Sequence, residues 1–431
     1  MSRLSKTALT HFLSQIILSA AGFAGTFAIA RLLGSDGLGT YTIAVGLGYF
    51  WLTLPANAVG SALSKRISER NDPGEHLTVA IVLNGIIALG LGLIVYISGV
   101  LLPVVVNPSS SEFTAVVTDH TGLVALLVVS SVGFRTSQAA LNGEKQVGTS
   151  GILNAAERAL RVVLQIFLVV IGWAVGGLIF ATVVSLTILG SIGILIINTR
   201  PRRPSMAHIT SLGAYAKYSW LGSLKGRAFG WMDTIVMSFF VSSSLIGIYE
   251  AAWGLASLLG MASVSVTTTL FPEMSELSAS EEDGKIRRLL GEGLVYNGIF
   301  VIPGLVGAWV IGDRVLRIYG PGFSQGKLIL ALLVGAYALN VYGDQFATVL
   351  GAIDRPDIAF RINALFVASN AILNVLLILQ YGWIGAAIAT AVSSGIWLIA
   401  GFITISRELG GVPIPSRQIG KEVVSALMMG G

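Results

Sequence analysis

Charged and amide side chains occur inside the apolar stretches of this sequence in a regular pattern. Five of them share one face of a predicted helix, since they follow one another at i, i+3, i+4, i+7 and i+11. They are Asn154, Glu157, Arg158, Arg161 and Gln165. Guanidinium groups suit phosphate oxygens, so neighbouring arginines indicate an anionic ligand in a polar cavity. The alternative is a purely structural ion pair between Glu157 and Arg161, which would leave the charge of Arg158 unpaired.

Three other apolar stretches also contain ionisable residues, namely Arg135, Lys225, Arg227, Asp233 and Asp344. Ionisable groups inside a membrane are costly and usually mark a functional site. The predicted anion-binding residues are Arg135, Arg158, Arg161 and Lys225. The candidates for ion coupling or for structural ion pairs are Glu157, Asp233 and Asp344.

Two further patterns involve polar residues in predicted helices. Asp233 either pairs with a cation from another helix or couples to protons or Na⁺, and the sequence leaves both roles open. A set of amides, Asn363, Asn370 and Asn374, lies along one side of a later helix. We predict that these amides bridge neighbouring helices, since Asn does this more often than it binds a ligand.

The composition places these residues in a membrane protein. Of 431 residues, 54% are hydrophobic and only 11% are charged, about half the charged fraction of an ordinary soluble domain. The sequence contains no cysteine, and its histidines are scattered at 11, 76, 120 and 208, so neither a metal site nor a cysteine nucleophile is expected. A net charge of +5 is too small to indicate a nucleic-acid partner.

Apolar windows of about 19 residues predict twelve membrane-spanning helices in an all-α polytopic protein. They lie near residues 9–31, 40–62, 78–105, 121–142, 149–171, 175–197, 214–241, 246–271, 291–311, 326–350, 360–380 and 384–405. Pro55 is expected to bend the second span. Lys and Arg are concentrated in the loops on the side of the N-terminus, which predicts a cytoplasmic N-terminus in the cell membrane.

The chain repeats itself at an offset of roughly 208 residues. Gly39-Thr40-Tyr41 matches Gly247-Ile248-Tyr249, and Ala181-Thr182-Val183-Val184-Ser185 matches Ala389-Thr390-Ala391-Val392-Ser393. Gly172-Trp173 likewise matches Gly382-Trp383. Two lobes of six helices each should therefore be related by a pseudo-two-fold axis along the membrane normal, with a cleft between them. The alternative, a static duplicated scaffold, has little need of charges inside the membrane.

The repeat predicts the domain limits. Residues 1–198 form the first lobe, 199–213 a basic cytoplasmic linker, and 214–406 the second lobe. Residues 407–431 form a cytoplasmic tail that contains the start of a truncated thirteenth helix from Val423 to Met429. An amphipathic stretch from Leu212 to Trp220 is expected to lie at the membrane interface before the second lobe begins.

The sequence lacks the motifs of energy-converting and hydrolytic enzymes. It has no Gly-x-x-x-x-Gly-Lys-Ser/Thr phosphate loop and no His-Glu-x-x-His run. We therefore expect a protein that is not an enzyme and has no cofactor, with Na⁺ or H⁺ as the ion to which it could couple.

Several short segments resemble the oligosaccharide (O-antigen type) flippases of the multidrug/oligosaccharidyl-lipid/polysaccharide exporter superfamily. These segments are Ala30–Tyr41, Asp233–Val236, Ile246–Ala252, Leu270–Ser275 and Ile318–Phe323. Their order along the chain follows that of the family. Members often have fourteen helices, so a chain that ends within a thirteenth would be a truncated or unusual member.

The resemblance implies two six-helix lobes around a cavity and export of a polyprenyl-diphosphate-linked oligosaccharide by alternating access. Such a protein serves surface polysaccharide or glycoprotein glycan biosynthesis, and glycosyltransferases or a polymerase of the pathway are possible partners beside membrane lipid. The alternatives are a cation-coupled multidrug exporter, a lipid II type flippase and, remotely, a membrane glycan-transfer enzyme. A drug exporter should have an acidic, aromatic pocket. The residues inside the membrane in the first lobe are mainly basic, which argues against a drug exporter.

Overall fold

The computed structural model describes residues 3–70, 72–105, 111–280 and 282–412. Within these ranges most residues are α-helical and there is no strand. The α-helices are α1 (Arg3–Val45), α2 (Leu54–Ser68), α3 (Pro73–Val105), α4 (Glu112–Asp119), α5 (Thr121–Gly143), α6 (Val147–Val170), α7 (Ala174–Ile196), α8 (Met206–Met237), α9 (Ser243–Ala256), α10 (Leu258–Ala279), α11 (Asp283–Leu316), α12 (Lys327–Ala352), α13 (Pro356–Tyr381) and α14 (Trp383–Glu408). The prediction of an all-α protein is confirmed.

Helices are the expected solution for apolar segments of this length, because a helix satisfies its backbone N–H and C=O groups without water. Seven of the described helices are long and apolar enough to cross a membrane: α3, α5, α7, α11, α12 with the turn before it, α13 and α14. The protein is thus a multi-pass membrane protein. Helices α6 and α8 are also long enough, but both contain several charged residues, and the total of twelve spans stays a prediction.

The second predicted span is broken. Residues Gly22–Trp51 and Leu54–Ser68 together form one further candidate span, with a bend of 44° between its two parts. A short π-helix, Gly46–Trp51, precedes the break, and Pro55 lies in the first turn of α2. Proline has no backbone N–H to donate and therefore suits a helix start. The predicted bend at Pro55 is confirmed.

The internal repeat is present in the order of the helices. Helices α3, α5, α6 and α7 have counterparts in α11, α12, α13 and α14, which begin roughly 208 residues later. The turn before α7 and the turn before α14 each contain a glycine with positive φ, 93° at Gly172 and 58° at Gly382. A left-handed conformation favours glycine at both positions, which explains why the Gly-Trp pair recurs.

The chain divides into two compact units. Unit 1 contains Met1–Arg227 with Val241–Gly247, and unit 2 contains Ala228–Phe240 with Ile248–Gly431. The division thus falls inside α8 and differs in place from the lobe limits expected from the sequence, which remain a prediction.

Part of the predicted linker belongs to helix α8. It begins at Met206, so the second half of the predicted linker 199–213 is helical, and the stretch from Leu212 to Trp220 is continuous with the rest of α8. The predicted thirteenth helix, from Val423 to Met429, lies outside the described residues.

Each unit has its own apolar core. In unit 1, Val59 and Leu63 of α2 pack with Leu77 of α3. In unit 2, Phe366 of α13 and Trp397 of α14 are buried together with side chains of α11 and α12. These cores hold the helices that carry the polar residues of each unit.

A close approach of two backbones occurs within unit 1 at the duplicated glycines. The first turn of α9 packs against α1 beyond a kink at Gly34, and Ser35 and Ser244 share a hydrogen bond of 2.6 Å between their hydroxyls. A Cβ atom on Gly39 would overlap the Ser243 carbonyl, and one on Gly247 would overlap the Ser35 carbonyl. Only glycine permits this contact.

This contact gives a stability prediction. Gly39→Ala and Gly247→Ala should each destabilise the purified protein by about 1–3 kcal/mol, because the added methyl group meets backbone that must shift. The measurement is thermal unfolding in detergent. Gly85→Ala in α3 is the control, since nothing lies within 4 Å of the added Cβ there. Equal melting temperatures for all three variants would contradict the interpretation.

Candidate functional site

The charged face of α6 contains a buried ion pair. Arg161 Nε lies 3.3 Å from Glu157 Oε1, and their side chains are only 12% and 5% exposed. Ser185 of α7 donates a hydrogen bond of 2.9 Å to the same carboxylate oxygen. The i, i+4 pair that the sequence allows is therefore formed, and Arg161 and Ser185 share the same oxygen of Glu157.

Arg158 adds a further positive charge to this face. Its guanidinium packs against the backbone of Gly22 in α1, where a Cβ atom would overlap it. No carboxylate of the described residues lies within 4.0 Å of Arg158. The face therefore keeps a net positive charge after the ion pair is counted.

Arg135 and Arg227 meet at the end of the π-helix. Arg135 Nη2 donates to the Tyr49 carbonyl at 3.3 Å, and Arg227 Nη1 donates to the next carbonyl, that of Phe50. The Arg135 guanidinium also lies 4.3 Å from the centre of the Tyr49 ring. Carbonyls in the last turn of a helix lack partners within it and carry partial negative charge, so they attract cations.

Carboxylates are scarce around these arginines. Neither Arg135 nor Arg227 has a carboxylate within 4.0 Å among the described residues. Unit 1 thus holds a basic site with one carboxylate, Glu157, for several guanidinium groups.

The two remaining predicted residues, Lys225 and Asp344, are both half-buried. Lys225 lies on α8, two residues before Arg227. Asp344 is half-buried on α12 in unit 2, where its backbone carbonyl accepts a hydrogen bond from Thr348. Arg227, which the sequence did not single out for anion binding, is the one that joins Arg135.

Unit 2 contains a buried acidic site around Asp233, which is 3% exposed. Its carboxylate accepts hydrogen bonds from the Tyr249 hydroxyl, from Thr390 at 2.7 Å and from Asn374 Nδ2 at 2.8 Å. Asn370 Nδ2 in turn donates to Thr390 Oγ1 at 3.2 Å. No basic side chain in the described part of the chain lies within 4.0 Å of Asp233, so neutral donors occupy the place expected for a cation.

The amides predicted to bridge helices do so. Asn374 of α13 contacts Asp233 of α8, and Asn370 contacts Thr390 of α14. Asn363 accepts a hydrogen bond of 3.1 Å from the indole of Trp397. The same amides that join the helices also complete the Asp233 site.

The neighbours of Asp233 recur in unit 1. Tyr41 and Thr182 hold the positions that correspond to Tyr249 and Thr390 in the repeat, and their hydroxyls are 3.0 Å apart. Gln165, which lies 209 residues before Asn374, donates to the Tyr41 hydroxyl at 2.7 Å. Tyr41 and Thr182 belong to the repeated segments, so the repeat was the available signal that they matter.

The ion pair of α6 can be tested by a double-mutant cycle. Glu157→Gln and Arg161→Gln should each destabilise the protein by about 3–5 kcal/mol, because each leaves a buried charge without its partner. The double variant should lose less than the sum of the two, as measured by thermal unfolding in detergent.

The exposed pair of Arg288 and Glu292 has the same i, i+4 spacing, with side chains 81% and 42% exposed, and provides the control. Glu292→Gln should cost less than about 1 kcal/mol. Additive effects at Glu157 and Arg161 would contradict a mutual interaction.

Comparison with solved structures identifies the fold. The chain is similar to the lipid II flippase MurJ in an inward closed conformation, with a TM-score of 0.82 at 18% identity over 98% of this chain and 91% of that chain. It is also similar to an inward-facing MATE family transporter of the MOP superfamily, with a TM-score of 0.67 at 14% identity over 93% and 94%. The fold is therefore that of these polytopic membrane transporters.

Sequence comparison identifies the family. A model described as polysaccharide biosynthesis protein matches residues 4–278, and one described as lipid II flippase MurJ matches residues 150–430. The probable flippase AglR of Haloferax volcanii is 32% identical, over 99% of this chain and 88% of that protein. The probable low-salt glycan biosynthesis flippase Agl15 of the same organism is 29% identical, over 99% and 89%. The chain belongs to the polysaccharide biosynthesis protein family, which confirms the resemblance noted in its sequence.

Proposed function

We propose that this protein is a flippase that moves a polyprenyl-diphosphate-linked oligosaccharide from the cytoplasmic to the outer leaflet of the cell membrane. It acts by alternating access, with its N-terminus in the cytoplasm, in surface polysaccharide or glycoprotein glycan biosynthesis. Two relatives with names of this kind, AglR and Agl15, align over 99% of the chain and support the proposal. Glycosyltransferases or a polymerase of the same pathway would be its partners.

The observation that carries the proposal is the excess of guanidinium groups in unit 1. Arg135 and Arg227 share the end of the π-helix, and Arg158 lies beside the Glu157–Arg161 pair. A diphosphate has several anionic oxygens and can accept charge-assisted hydrogen bonds from more than one arginine. The site suits this head group better than a cationic drug, which an excess of positive charge would repel.

Two alternatives are separable by experiment. A lipid II flippase would transport a related lipid-linked substrate, and the match of the MurJ model to residues 150–430 favours including lipid II in the assay. A glycan-transfer enzyme would form or break a glycosidic bond, whereas a flippase changes only the leaflet in which its substrate lies.

The direct test uses proteoliposomes that contain a fluorescent polyprenyl-diphosphate oligosaccharide, with accessibility to an external reagent measured over time. The wild-type protein should exchange the label between leaflets without changing the glycan. Arg158→Gln/Arg161→Gln should abolish exchange, and Arg135→Gln or Arg227→Gln should slow it about 10- to 100-fold, as expected for loss of one charged hydrogen bond. Arg288→Gln, on an exposed part of α11, is the control.

Each variant is checked for correct folding by its elution as a single species in detergent. Normal exchange by the Arg158→Gln/Arg161→Gln variant would refute the site. Transfer of sugar between lipids would instead favour the enzyme alternative.

We further propose that Asp233 couples transport to Na⁺ or H⁺. The support is its burial among the neutral donors Tyr249, Asn374 and Thr390. Hydrogen bonds from neutral donors compensate a buried carboxylate only in part, so such a carboxylate is suited to take up a proton or a small cation. Binding and release of that ion would then change the stability of the helices that Asp233 joins.

The coupling proposal predicts that an imposed Na⁺ or pH gradient accelerates exchange by the wild-type protein. Asp233→Asn should lose this acceleration, because the amide neither ionises nor offers two anionic oxygens. Asp354→Asn, in the turn between α12 and α13 at φ 56°, is the matched control, since asparagine tolerates this conformation. An intact response to both gradients in Asp233→Asn would refute the role.

A further inference from the structure

A polar groove lies between α2 and α5 in unit 1. It has a volume of about 440 Å³, within the range of roughly 300–1,000 Å³ that is usual for small-molecule sites. The polar residues that line it are Asn57, Ser61, Ser64, Arg135, Gln138 and Asn142. None of them takes part in the Glu157–Arg161 ion pair or the Asp233 site.

The sequence explains why the groove is polar. Its residues recur at i, i+4 and i+7 on α2 and at i, i+3 and i+7 on α5, so each helix presents one polar face. Small residues allow the helices to approach each other: a Cβ atom on Gly60 would lie 3.3 Å from that of Ala139. Such faces do not suit lipid, and in this case they face one another.

Three hydrogen-bond donors on residues that line the groove have no acceptor among the described residues. They are Asn57 Nδ2, Gln138 Nε2 and Arg135 Nε, and all three are buried. The orientation of Gln138 is fixed, because its Oε1 accepts hydrogen bonds from Ser150 and from Asn154, the latter at 3.2 Å. Buried donors are rarely left unpaired, so this set indicates a ligand rich in acceptor oxygens.

The groove shares one residue, Arg135, with the basic site. Arg135 lines the groove and at the same time binds the Tyr49 carbonyl at the end of the π-helix, beside Arg227. A diphosphate held by these two arginines would place the sugar attached to it at the mouth of the groove. The Ser64 hydroxyl and the Asn142 amide can donate hydrogen bonds to sugar hydroxyls and accept them. The Ser61 hydroxyl donates to the Asn57 carbonyl and can accept a hydrogen bond from a sugar hydroxyl.

We propose that the groove between α2 and α5 binds the sugar that is linked directly to the diphosphate. This inference rests on the proposed flippase function and adds to it a site for the glycan. The apolar lipid chain has no place in this groove, because polar side chains of both helices line it.

The test compares two substrates labelled on the prenyl chain: a polyprenyl diphosphate with one sugar and the same lipid without sugar. The quantity measured is the ratio of their exchange rates in proteoliposomes. Asn57→Ala removes one unpaired donor, and Ser61→Leu fills the groove from an exposed position. Each should lower the ratio about tenfold. Asn57→Ala would do so through the loss of one good hydrogen bond, and Ser61→Leu by filling the space that the sugar needs. Ser191→Leu, exposed on α7, is the matched control and should keep the wild-type ratio.

The outcomes separate the groove from the function. A lower ratio in both variants, with the control unchanged, supports the assignment. Equal losses for the two substrates, or no loss for either, would overturn it while leaving the flippase function in place. Failure of the wild-type protein to exchange the sugar-bearing lipid would overturn the proposed function and the assignment together.

Discussion

The structure of unit 1 depends on the stabilisation of positive charge inside its helices. An isolated buried charge costs several kcal/mol, so each guanidinium requires a compensating group. Arg161 has a carboxylate, Glu157, whereas Arg135 and Arg227 donate to the Tyr49 and Phe50 carbonyls at the end of the π-helix, which also accept hydrogen bonds from the Thr53 hydroxyl. The bend of 44° after the π-helix is therefore part of the site. Compensation by carbonyls neutralises the charge only partly, which leaves the site able to bind an anion.

The two halves of the sequence use the same neutral groups around opposite charges. Tyr41, Gln165 and Thr182 form a hydrogen-bonded set beside the α6 face that contains Arg161. Their counterparts Tyr249, Asn374 and Thr390 all donate to Asp233. The two halves therefore share hydroxyl and amide groups, while the ionisable residue beside them differs in sign and in helix. A basic site and an acidic site in one chain would meet the two needs proposed for this protein: attraction of an anionic head group and binding of a small cation or proton.

Features that depend on neighbours along one helix could be predicted from the sequence. The Glu157–Arg161 pair follows from i, i+4 spacing alone, and the bend near Pro55 follows from the missing N–H of proline. Contacts between distant helices could not be predicted, because they depend on how far each helix is rotated and how deeply it lies. Arg227 therefore escaped notice as a partner of Arg135, although it is only two residues from Lys225. For Tyr41 and Thr182, the sequence showed only that they lie in repeated segments. It did not show that their hydroxyls form hydrogen bonds.

An all-α membrane protein of duplicated design with a basic first half follows from the amino-acid sequence alone, because hydrophobicity and helical periodicity are local and additive along the chain. The sequence also restricts the candidate functional residues to a small set of charges within apolar segments. Which of these charges are compensated, and by which groups, depends on the packing of the helices. Asp233 could have met a cation on another helix, yet its partners are a tyrosine, a threonine and an asparagine. That choice depends on side chains that are far apart in sequence and are brought together only by the packing of α8, α9, α13 and α14.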